Sequence, residues 1–179
     1  MLGIKIYTKM MKLINTLFCF FFIKGLKINP IYSHFHGRVW NDNGTIIIHN
    51  GFRNKFSLYI SVCKGKLAIG ENVFFNNDVS INVRKKVIIG NNVLLGEGVK
   101  IYDHDHDYRL GSKGWRKSFT SNPITIEKNV WVGANCIILQ GAHIEEGSVI
   151  AAGSIVSKRV PRNSLYIQKR KIEIRDING

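Results

Sequence analysis

Residues 129–158 read NVWVGANCIILQGAHIEEGSVIAAGSIVSK, and a large apolar residue returns at every sixth place: Val132, Ile138, Ile144, Ile150 and Val156, with Ile126 opening the series. Four places after each anchor a compact residue follows: Val130, Cys136, Ala142, Ser148 and Ser154. A period of six is neither the 3.6 of a helix nor simple strand alternation. It fits a solenoid whose coil has three short, flat faces. The anchor must be large because it fills the interior of the coil, and the compact residue turns inward beside a corner. Stacking such coils buries a continuous core and pairs each strand with the coils above and below.

The same period runs upstream through Ile69, Phe75 and Ile81, and again through Ile89, Leu95 and Ile101. Val73, Val79, Val93 and Val99 take the compact place. Gly70, Gly90, Gly96 and Gly133 follow anchors, and Glu71-Asn72, Asn91-Asn92 and Lys128-Asn129 suit corners that need unusual backbone angles. The register slips twice. Ile81 and Ile89 are eight apart, a two-residue bulge at Arg84-Lys85-Lys86. Ile101 and Ile126 are 25 apart, so residues 102–123 (YDHDHDYRLGSKGWRKSFTSNP) leave the solenoid as a polar loop. Function tends to sit on such loops when a rigid scaffold holds them. Residues 31–68 read as worn early coils. The expected fold is an all-β solenoid over residues 31–160 with a protruding loop, a basic and apolar segment over 1–30 and a basic tail over 161–179.

The remaining composition narrows the partners. Lys plus Arg number 26 against 12 Asp plus Glu, a formal charge of +14 that favours anionic partners. Cys19, Cys63 and Cys136 stand far apart with no C-x-x-C pair, which argues against a disulfide framework and a cysteine zinc knuckle and fits a reducing compartment. Nucleic-acid binding lacks any accompanying module. In the first segment Lys5, Lys9 and Lys12 precede an apolar run over residues 13–23, and Lys24 and Lys27 close it. The run is about half of the ~20 residues that span a bilayer. Three readings stand: an element packed on the main domain or a partner subunit, a segment lying in an anionic membrane interface, or a secretory signal without a small-x-small cleavage site.

The loop opens with Asp103-His104-Asp105-His106-Asp107. As an extended strand it puts His104 and His106 on one side and the aspartates on the other. Imidazole suits general-base work near neutral pH, with a carboxylate or carbonyl on the second nitrogen fixing the tautomer. The pair also reads as half of a metal site with His143 as third ligand, or as a solvated turn.

These hexads, the looped-out histidines and the run 129–158 resemble the hexapeptide-repeat acyltransferases, in particular the galactoside, maltose and xenobiotic acetyltransferases and the branch that O-acetylates bacterial surface polysaccharides. The resemblance covers about residues 65–161. It implies a left-handed parallel β-helix, a homotrimer with active sites between subunits, and acetyl-CoA as co-substrate with no metal. Matched residue by residue, the resemblance places the catalytic histidine on His106, with His104 as a second candidate. It directs Asn76 at the acceptor with Asp78 nearby, and Trp131 lines the pantetheine channel. The backbone of Ala134 and Ala152 would bond the cofactor arm, and Ser157, Lys158 and Arg159 would lie near its nucleotide. Trp115 would offer the sugar a stacking surface. Ordinary packing for Trp131, a solvated rim for Lys158, Arg159 and Arg162, and small corner residues for the alanines are the plainer readings. Two departures stand out: Arg159 replaces an acidic residue, and Ser164-Leu165-Tyr166-Ile167 replaces a glycine-proline segment that helps hold the adenine.

The expected activity is O-acetylation of a sugar hydroxyl of a capsule, O-antigen or precursor, in the cytoplasm or peripherally at the inner membrane. A metal-dependent hydratase and a non-catalytic scaffold binding glycan or membrane are the alternatives.

Overall fold

The computed structural model describes residues 2–109 and 118–169, with side chains from residue 6 onward. Trp115 therefore lies outside the described residues. The chain forms a left-handed parallel β-helix of about six turns, with a helix, α1 (Leu2–Phe22), ahead of it. Its crossovers are the exception to the usual right-handed rule.

Three parallel sheets make a prism. The first face stacks Leu26–Ile28, Thr45–Ile48, Lys66–Ile69, Lys86–Ile89, Ile124–Ile126, His143–Ile144 and Arg159–Val160. The second stacks Arg53–Asn54, Phe74–Phe75, Leu94–Leu95, Trp131–Val132, Val149–Ile150 and Leu165–Tyr166. The third stacks Gly37–Asp42, Leu58–Cys63, Ser80–Val83, Lys100–Tyr102, Ile137–Leu139 and Ile155–Val156. Among the described residues, the paired strands of the prism thus run from Leu26 to Tyr166, beyond the span of 31–160 read from the sequence.

The sixth-place anchors stack in register. Ile69, Ile89, Ile126 and Ile144 form one ladder, Phe75, Leu95, Val132 and Ile150 a second, and Ile81, Ile101, Ile138 and Val156 a third. All are buried, and so is every compact residue from Val73 to Ser154. Each rung is one strand spacing, about 4.8 Å, so like side chains fill the axis of the prism layer by layer.

The two-residue excess at Arg84-Lys85 is a wide corner rather than a bulge in a strand. The same edge is wide in the two coils before it, at Asn43-Gly44 and Lys64-Gly65, where Asn43 and Lys64 have φ of 54° and 58°. The early coils are therefore regular; their third-face strands are longer, which hid the period. At the opposite end Tyr166 Oη donates to the Ile155 carbonyl at 3.1 Å, and Gln168 Oε1 accepts from the Ile155 amide at 2.8 Å, closing the last coil. The three cysteines are free thiols, with Cys19 and Cys136 buried. Among the described residues, no helix is long and apolar enough to cross a membrane.

Candidate active site

The loop leaves the prism at the edge between the third and first faces. It does so as a two-stranded antiparallel hairpin, His104–His106 against Phe119–Ser121. What anchors it is Asp103, fully buried in the corner. Its carboxylate accepts the backbone amides of Arg84 at 2.8 Å, Lys85 at 2.7 Å and Lys86 at 2.8 Å. The wide corner of the coil above is thereby tied to the base of the loop. Burial pushes this carboxyl up, but the His104 hydrogen bond and the three amides outweigh it and hold it below the ordinary range.

His104 Nδ1 donates to Asp103 Oδ1 at 3.0 Å. That leaves its Nε2 as the acceptor nitrogen, the arrangement a general base needs. His106 is exposed and stands opposite Phe119 in the hairpin. The Phe119 ring lies 5.7 Å from the His104 ring and 4.5 Å from that of His106, so both imidazoles share one side, as the alternation predicts. Arg84 stacks on Phe119 with its guanidinium carbon 3.4 Å from the ring centroid. The aspartates are not a uniform opposite face. Asp103 goes inward, Asp105 accepts Gln140 Nε2 at 2.6 Å, and Asp107 takes a bidentate contact from Arg109 that holds its carboxyl down at about 2. Phe119, Arg84 and Gln140 are candidate site residues the sequence reading did not single out, beyond the break in register at Arg84; for Asp103 it offered only an unspecified partner on the second imidazole nitrogen.

The other candidates divide between two edges. Ser157 and Lys158 sit on the same edge as the loop, exposed. Arg159 points from the first face to Glu145, which also accepts the Arg162 amide, so its guanidinium is engaged within the chain and its pKa raised by that hydrogen bond. Asn76, Asp78, Ala134 and Ala152 lie on the edge between the second and third faces. Asn76 Oδ1 accepts the Asn77 amide at 2.9 Å; Asp78 has φ of 57°, and its carbonyl accepts Lys100 Nζ at 2.8 Å. The Ala134 carbonyl accepts the Gly153 amide at 2.8 Å, and Ala152 is exposed.

Trp131 projects from the second face, 54% exposed, in register between Leu94 and Val149. The result is an apolar strip open to solvent beside the edge that carries Ala134 and Ala152. A third-face strand separates the two edges, and at about 3.3 Å per residue it keeps them roughly 15 Å apart. One chain therefore does not bring Asn76 and Trp131 to its own imidazoles.

His143, the third imidazole a metal-dependent hydratase would use, donates from Nε2 to Glu127 Oε1 at 2.7 Å on the first face. Among the described residues no group of three His, Cys, Asp or Glu is placed to hold a metal ion.

Comparison with known proteins bears on the fold and the family. A family model described as the hexapeptide repeat of succinyl-transferase matches residues 123–158. The galactoside O-acetyltransferase of Escherichia coli K12 is 38% identical over 112 residues, covering 62% of this chain and 54% of that protein. A putative lipopolysaccharide biosynthesis O-acetyl transferase of the same organism is 27% identical over 133 residues, covering 69% of this chain and 68% of that protein. A hexapeptide-repeat acetyltransferase of Vibrio cholerae, solved with acetyl coenzyme A, superposes with a TM-score of 0.55 at 25% identity, over 73% of this chain and 64% of that one. The chain spans about half the length of the first curated relatives it matches. The resemblance to hexapeptide-repeat acyltransferases is borne out by these matches.

Proposed function

We propose that this protein is an acetyl-CoA-dependent O-acetyltransferase that acetylates a sugar hydroxyl of a bacterial surface polysaccharide or its precursor, in the cytoplasm beside the inner membrane. The observation that carries the reading is the imidazole pair on a strand fixed by Asp103 where the solenoid is interrupted. The relatives named as O-acetyltransferases and the neighbour solved with acetyl coenzyme A support the reaction and the donor. The separation of the two edges supports a homotrimer, because the loop of one copy would meet Asn76 and the Trp131 strip of the next.

In that cleft His106 takes the proton of the sugar hydroxyl as its oxygen attacks the thioester carbonyl, and His104 stands beside it. A backbone N–H stabilises the oxyanion. Collapse of the tetrahedral species forms the ester, and the departing thiolate receives the proton from the imidazolium. The strip of Leu94, Trp131 and Val149 suits the pantetheine arm, with the small Ala134 and Ala152 leaving their backbone approachable. Ser157 and Lys158 would meet the nucleotide end; Arg159 has less to offer there, being held by Glu145.

Incubation with labelled acetyl-CoA and a panel of bacterial glycans, read by mass spectrometry, tests this. Acetylated glycan with stoichiometric free CoA is expected; no transfer to any glycan and no CoA release would end the proposal.

A further inference from the structure

α1 lies across the open end of the prism. Lys12 Nζ donates to the Asn54 carbonyl on the first strand of the second face, and after the helix the Lys24 carbonyl accepts Asn41 Nδ2 at 2.6 Å from the first strand of the third. Between these points Thr16 and Cys19 are buried, Thr16 Oγ1 accepts the Phe35 amide at 2.9 Å, and Asn15 Oδ1 accepts the Gly37 amide at 3.1 Å. This side seals the core, as the terminal unit of a solenoid must.

The other side is bare. At 100° per residue, Ile6, Met10, Leu13, Ile14 and Phe21 centre on the side opposite Thr16 and Cys19. Ile6 is 60% exposed, Met10 51%, Ile14 52% and Phe21 73%. So much contiguous apolar surface on one element marks a contact. Continuous with its flank is a groove of about 510 Å³ lined by Phe18, Phe22, Val39, Trp40 and Tyr59, with Arg38 among its walls.

Charge decides what covers this surface. Residues 1–41 contain no Asp or Glu. Lys12 is turned onto the Asn54 carbonyl, while Lys9, Lys24, Lys27 and Arg38 also lie on or beside the helix. Burial and then the charges of Lys9 and Lys12 hold His34 below its ordinary range. Two copies laid face to face would bring these cations together, and copies packed along the sides of the prism leave its end uncovered. An anionic lipid surface answers both needs: apolar depth for the exposed face and negative headgroups for the lysines. We propose that α1 docks the protein peripherally on an anionic phospholipid bilayer, its outward face in the interface and the prism standing off the membrane.

The test is co-sedimentation of the full chain with vesicles of phosphatidylglycerol and phosphatidylethanolamine, and with phosphatidylcholine alone. Binding to the anionic vesicles, lost as salt is raised, is expected. Met10→Glu, Ile14→Glu and Phe21→Glu together should weaken it by more than about a hundredfold with melting temperature and oligomeric mass unchanged. Should that variant misfold, Lys9→Glu with Lys24→Glu serves instead, weakening binding by at least about tenfold. Binding that ignores lipid charge, binding that survives both variants, or a drop in oligomeric mass for the triple variant, which would make the face a contact between copies, overturns the proposal.

Discussion

The Asp103 carboxylate and the His104 imidazole are joined by a 3.0 Å hydrogen bond at the point where the chain leaves the third face, and the same carboxylate caps three consecutive backbone amides of the coil above. One buried side chain thus closes a wide corner and orients a ring.

Removing it should cost stability first. Asp103→Ala leaves the amides of Arg84, Lys85 and Lys86 without their acceptor and should lower the unfolding free energy by ~2–4 kcal/mol. The folded carboxyl is depressed, so its contribution is complete above the ordinary carboxylate pKa and lost as pH falls toward the folded value. In urea titrations the gap between wild type and variant should therefore hold at neutral pH and begin to narrow below about pH 4. A gap that stays flat through the acid range counts against this account of Asp103.

The two histidines should separate kinetically. His106→Ala should reduce acetyl transfer by ~10²–10⁴, the range for loss of a general base, with assembly intact. His104→Ala should be milder. Steady-state turnover of both variants decides the assignment, and near-normal rates for His106→Ala would move the role to His104, whose Asp103 partner already fixes its tautomer.

The split between edges makes a prediction about mixtures. His106→Ala and Trp131→Ala each disable every site of a homotrimer, but a site built from two copies recovers wherever an intact His106 meets an intact Trp131. In randomly mixed trimers that is about a quarter of the sites. Co-expression of the two variants should restore about a quarter of wild-type activity. If the mixture is no more active than its parents, the two residues serve from a single chain.

The fold was legible because one residue in six had to fill a closed interior: Ile69, Ile89 and Ile126 are large, apolar and in register for the same reason. The histidine strand was legible because it fell where that requirement lapsed. Asp103 was not, since nothing in an alternating D-H-D-H-D tells which carboxylate turns inward; that depends on three unpaired amides 17 to 19 residues earlier. The wide corners at Asn43-Gly44 and Lys64-Gly65 were missed because extra residues on the third face disguised coils otherwise like the rest. The pairing of Arg159 with Glu145 was not legible because Glu145 comes from the neighbouring coil, a proximity visible only once the register is known.

The corners carry the last test. Asn72, Asn92, Asn129 and, beyond Gly147, Asn163 take the same place on the edge between the first and second faces, all four asparagines with φ between 54° and 59°. Asparagine tolerates this left-handed region where a Cβ-bearing residue without a local hydrogen bond is strained. Asn129 Oδ1 also accepts Asn92 Nδ2 at 3.0 Å, which links these two corners side chain to side chain. Asn129→Gly should lose only this exposed hydrogen bond and stay within about 0.5 kcal/mol of wild type, because glycine adopts the backbone freely. Asn129→Ala should cost ~1–2 kcal/mol, the penalty of forcing alanine left-handed. Chemical denaturation of the pair separates conformational strain from hydrogen bonding: if alanine and glycine prove equally tolerated, the corner is not held by backbone preference, and the recurrence of asparagine along this edge needs another cause.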